Sequence, residues 1–208
     1  MDNFDFKPLG SGERKEIIEY IRSRIDDADP DSLRKAMLSM GWASEGAGEL
    51  VEPLMLLLTE GRPEIALIAL DGLAQLESKY CEKPLARHIV NLFKQADPAC
   101  SEVRSECIRV LGKVGSKHCV SLLAELIRNP ATASEEDKEA AVEALVSLAE
   151  RKVRGITETL EGLKPGATGN TGKAIQCALK ELNLQRWEEQ GFLTIEADLE
   201  REEDKLGG

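Results

Sequence analysis

Apolar residues recur along this chain at spacings of three and four, with polar residues between them, from about residue 13 to residue 183. That period predicts a succession of amphipathic helices. From Gly12 the first carries Ile17, Ile18, Ile21 and Ile25 on one face. The run Asp-Asp-Ala-Asp-Pro at 26–30 ends it, because proline disfavours helix in the residue before it. A second helix follows over Ser32–Ser44, and Gly46 and Gly48 close this first pair. Further helices are predicted over 49–61, Pro63–Leu76, 83–98, Val103–Gly115, 117–130, Ser134–Glu150, 153–166 and 171–182. Pro63 suits a first turn. Ser134-Glu135-Glu136-Asp137 has the form of a capping box.

The second helix of each pair repeats. Ala69, Cys107, Ala141 and Ile175 align, with successive steps of 38, 34 and 34 residues. Three places on stand Gly72, Val110, Ala144 and Ala178, followed at once by Leu73, Leu111, Leu145 and Leu179. Leu76, Val114, Leu148 and Leu182 close the pattern, and Met37, Met40 and Gly41 match it loosely in the first pair. Val103–Gly115, VRSECIRVLGKVG, is the fullest copy. Its small residues are what a helix needs when neighbours approach closely on both sides. Self-similarity at this period, built from helix pairs, predicts an all-α fold, an α-α superhelix of about five pairs.

The repeated second helix resembles that of HEAT repeats, in particular the short bacterial PBS lyase HEAT-like type. Those helices read Val-Arg-x-x-Ala-x-x-Ala-Leu-Gly-x-Leu/Ile-Gly. Val103-Arg104, Val110-Leu111-Gly112 and Val114-Gly115 match closely, as do Leu33-Arg34 and the pair Leu145 and Leu148. The turns Asp29-Pro30 and Asp97-Pro98 also look like the family's. The resemblance implies a ladder of turn aspartates and arginines between repeats, to which Asp29 with Arg34 and Asp97 with Arg104 are expected to contribute. Ala66, Lys138 and Gly172 interrupt it elsewhere. The resemblance covers 13–183, read as a HEAT-like repeat domain, and the residues outside that pattern are read as an N-terminal arm over 1–12 and a C-terminal cap and acidic tail over 184–208.

Composition narrows the partners. Aromatics are only 4% of the chain, so the core is aliphatic. The net charge of −11 disfavours phosphate backbones and anionic lipid. No apolar run approaches the length of a membrane span. Cys81, Cys100, Cys107, Cys119 and Cys177 are odd in number and lack metal-ligand spacing. Cys107 and Cys177 are expected as buried thiols in small core positions. With no signal-peptide pattern at the start, the expected setting is cytoplasmic.

Candidate chemistry is sparse. His88 and His118 lie apart, without further metal ligands beside them. Ala-Thr-Gly-Asn-Thr-Gly-Lys-Ala at 167–174 lacks both a phosphate loop's first glycine and its closing Ser/Thr. It is expected as a turn, with Asn170 or Thr171 capping the next helix. No catalytic, cofactor or metal residue is expected. The sequence points to a non-enzymatic scaffold or adaptor that binds a protein or peptide on the concave face of its second helices. Small molecules, membrane and nucleic acid are disfavoured. The expected contacts are Arg34, Lys35, Trp42, Arg104, Arg109 and Lys113, which suit an acidic or mixed-charge partner. Family resemblance alone offers one alternative, a lyase-like protein handling tetrapyrrole adducts, and the cations clustered on the second helices offer another, a DNA-binding protein.

Overall fold

Local capping explains where the helices begin. In the computed structural model, which describes residues 11–27, 29–38, 47–76, 78–95, 97, 100–129 and 133–185, Asp29 opens the second helix. Its carboxylate accepts from Ser32 N at 2.9 Å, and its carbonyl accepts from Leu33 N. The Ser134 box forms in full: Asp137 N donates to Ser134 Oγ at 3.1 Å, and Ser134 N donates back to Asp137 Oδ2 at 2.9 Å. Such reciprocal caps satisfy amide groups that the first turn leaves without partners.

The helices are α1 (Ser11–Asp27), α2 (Pro30–Leu38), α3 (Val51–Leu57), α4 (Pro63–Leu76) and α5 (Glu82–Gln95). Then come α6 (Ser101–Val114), α7 (Val120–Arg128), α8 (Glu135–Glu150), α9 (Ile156–Leu163) and α10 (169–185). The described residues contain no strand, and none of their helices is long and apolar enough to cross a membrane. Short 3-10 turns at Lys79–Cys81 and Lys117–Cys119 lead into α5 and α7, each opened by a serine hydroxyl. Residues 1–10 of the expected arm, residues 186–208 of the expected cap and tail, and Met40, Gly41 and Trp42 lie outside the described residues, as do the side chains of Ile17 and Ile25.

Packing follows the sequence period. α1 packs on α2, α3 on α4, α5 on α6, and α7 on α8. The second helices also touch in series, α2 to α4, α4 to α6, and α6 to α8. First helices meet too, α1 against α3 and α7 against α9. All four residues at each aligned position, from Ala69 to Leu182, are buried. So are Leu54, Leu85, Ile89 and Leu123 of the first helices, in the same continuous apolar cluster. Each leucine so buried contributes on the order of 2 kcal/mol relative to exposure.

Three expectations are corrected. Cys177 is exposed. It stands two residues beyond the inward Ile175, which on a helix turns it away from the core. Thr171 does not cap α10: the helix begins earlier, and Gly172 N donates to Thr168 O at 3.1 Å. Thr171 is instead buried and donates through Oγ1 to Glu135 Oε2 at 2.9 Å. Finally, α10 runs on past Leu182 to residue 185.

Candidate functional site

The second helices carry most of the residues expected to meet a partner, and the structure divides them sharply. Arg104, in the first turn of α6, is only 8% exposed. Its guanidinium lies over the Phe93 ring, 4.9 Å from the centroid, and Nε donates to both oxygens of Asp137 at 3.0 Å. Nη2 stands 2.9 Å from Asp137 Oδ2. The same fully buried carboxylate accepts from Ser105 Oγ at 3.1 Å and from Ser134 Oγ at 2.7 Å. Burial alone would raise the Asp137 pKa, but the bonds from Arg104 and Ser134 outweigh it and hold the carboxyl below its usual range. Arg104 is therefore a clamp inside the fold, not a surface contact.

Arg109, one and a half turns on, is half-buried. It donates through Nε to Glu143 Oε2 at 2.7 Å and reaches Glu106 at 3.4 Å. Arg34 of α2 is exposed, but it donates to Glu64 Oε1 at 2.7 Å and to Asp31 at 3.3 Å. Lys138 pairs with Glu135 at 2.8 Å. Only Lys35 and Lys113 of the expected contacts are exposed cations without a salt bridge to a described residue. Trp42 lies outside the described residues.

These bonds share a measure. Several of these partners lie some 30 to 36 residues apart in the chain. Arg34 to Glu64, Ser105 to Asp137, Arg104 to Asp137, and Arg109 to Glu143 span 30, 32, 33 and 34 residues. On the other side, Ser116 Oγ donates to Glu82 at 3.2 Å over 34 residues. Arg151 Nη1 donates to Gly115 O at 2.7 Å over 36, which places a cation at the C-terminus of α6, where the helix dipole favours it.

Between α2 and α4 an open groove of about 760 Å³ faces out beside the start of α6. Met37, Leu38, Pro63, Leu67 and Ile68 make its apolar floor, and Arg34, Glu64, Asp71 and Glu102 its charged edge. Leu38 is 79% exposed. Sequence pattern did not single out this groove, although Leu38 beside Met37 breaks the polar outer face of α2 and was the available signal.

The groups able to do covalent or proton chemistry are set otherwise. Burial pushes the Cys81 thiol up to about 11 and the Cys119 thiol up to about 12. Burial also pushes Cys107 up. The carboxyls of Asp29, Glu135 and Asp137 are all held down, opposite to what a general acid at neutral pH needs. His88 has its pKa lowered by burial, and its Nε2 finds no partner among the described residues; His118 is exposed. Among the described residues no three metal-ligating side chains converge. Neither family models nor curated proteins give a match to this chain.

Proposed function

We propose that the chain is a HEAT-like α-solenoid of about five helix pairs, acting as a non-enzymatic scaffold that holds a protein or peptide on the face of its second helices. The observation that carries this reading is the set of hydrogen bonds spanning one repeat length, 30 to 36 residues, between helices that touch in series. Contacts limited to neighbouring units are what a repeat array uses, and the extended face that results is its usual binding surface. On that face Lys35 and Lys113 are exposed and form no salt bridge with a described residue. Five cysteines without a disulfide suit a reducing, cytoplasmic setting.

A photo-crosslinking amino acid placed at Lys35 or Lys113, and at Lys83 or Glu125 on first helices, tests the reading in native lysate. The expected result is a shared set of crosslinked proteins from the two second-helix positions and not from the others. Equal capture from both faces, or none from either, removes the proposal.

A further inference from the structure

We propose that the groove between α2 and α4 takes a basic amphipathic segment of a partner protein, with aliphatic side chains at helical spacing flanked by lysine or arginine. This rests on the scaffold reading and names its occupant.

The floor supplies the apolar half of the match. Met37 and Ile68 are buried at its base, Leu67 is half-buried, and Leu38 stands free above them. A groove with an aliphatic floor of this sort accepts the apolar face of an amphipathic helix. The edge supplies the charge. Arg34 is already neutralised by Glu64 and Asp31. Asp71 accepts from the neutral Gln75 at 3.0 Å, and neither Asp71 nor Glu102 forms a salt bridge with a described residue. The groove is thus left with two uncompensated carboxylates beside exposed aliphatic surface. That reverses the partner charge which the arginines of the second helices suggested, because those arginines are committed within the fold. A net charge of −11 adds long-range attraction for a cation. The chain's own tail at 186–208 is a poor occupant, since it holds eight acids against three bases.

The test uses the full chain and a labelled peptide with leucines at i, i+3, i+4 and i+7 and lysines elsewhere, read by fluorescence anisotropy. Saturable binding is expected, weakening at raised salt. Leu38→Asp, at a position already exposed, should weaken it at least about tenfold, a 1.4 kcal/mol change. Asp71→Lys with Glu102→Lys should weaken the lysine peptide and strengthen a glutamate version of it. Circular dichroism melts confirm that each variant is folded. Absence of binding, or equal binding to Leu38→Asp, overturns the proposal: equal binding means diffuse charge attraction only. A concentration-dependent dimer of the chain alone that Leu38→Asp abolishes overturns it in favour of a second copy. Capture of the 186–208 peptide in the groove overturns it in favour of the tail. Crosslinks from Lys113, which does not line the groove, report on the scaffold reading separately.

Discussion

Gly112 of α6 lies directly on the backbone of Ala144 in α8: a Cβ built at Gly112 would stand 2.5 Å from Ala144 Cα and 2.8 Å from its Cβ. No side chain fits there unless the helices separate. Gly112→Ala is expected to destabilise the fold by about 1–3 kcal/mol, the usual cost of overpacking a core. Urea unfolding should show a lower midpoint at an unchanged slope. Gly162, with nothing within 4 Å of its would-be Cβ, is the control, and Gly162→Ala should not destabilise.

Arg104→Met removes the cation from the buried Asp137. The expected loss is about 3–5 kcal/mol, because a charge is left without its partner. Arg104→Met with Asp137→Leu should recover a large part of that loss. A double-mutant cycle by chemical denaturation measures the coupling. Additive losses would show that the pair is not a unit.

The pH dependence follows from the same carboxylate. Asp137 in the fold titrates below its unfolded value of roughly 3.9. Its contribution to stability is therefore fully present above about pH 4 and is lost as pH falls through the folded value. Asp29 and Glu135 are lowered too, so they act in the same sense. Thermal melts across the acid range should show the wild type losing stability there, and Asp137→Asn should flatten part of the slope while lowering the neutral plateau.

Thiol labelling separates the cysteines. Cys177 is exposed and should react at once with a disulfide reagent in the native state. Cys81, Cys107 and Cys119 are buried, and burial disfavours their thiolates. They should react only as the chain unfolds, so their labelling rates follow opening of the core. Rapid native labelling at Cys107 would contradict its placement.

The all-helical fold was legible because a helix's period is written along a single segment. Ala69, Cys107, Ala141 and Ile175 align in sequence and are all fully buried. The capping box at Ser134 was legible for the same reason, as four consecutive residues contain it. What periodicity cannot encode is which neighbour a long side chain reaches. Arg104 looked like a surface cation on its own helix, but Asp137, 33 residues later, arrives beside it only once α6 and α8 stack. Cys177 failed differently: its small size suited a core position, but its register set it two residues past Ile175. The groove beside Leu38 is a property of the gap between α2 and α4, and gaps have no sequence period.

The arginine bonds have a direction with a consequence for synthesis. In Arg34–Glu64, Arg104–Asp137 and Arg109–Glu143 the cation always precedes its acid along the chain. A nascent chain leaving the ribosome therefore exposes Arg104 before Asp137 exists, whereas Arg34 and Arg109 already have Asp31 and Glu106 beside them. When α6 has emerged, Arg104 can rest on Phe93, but it cannot be buried at low cost until residue 137 follows. Closure around Arg104 then waits for α8 to be made, and a chain stalled between α6 and α8 is left with that one guanidinium unsatisfied near its growing end.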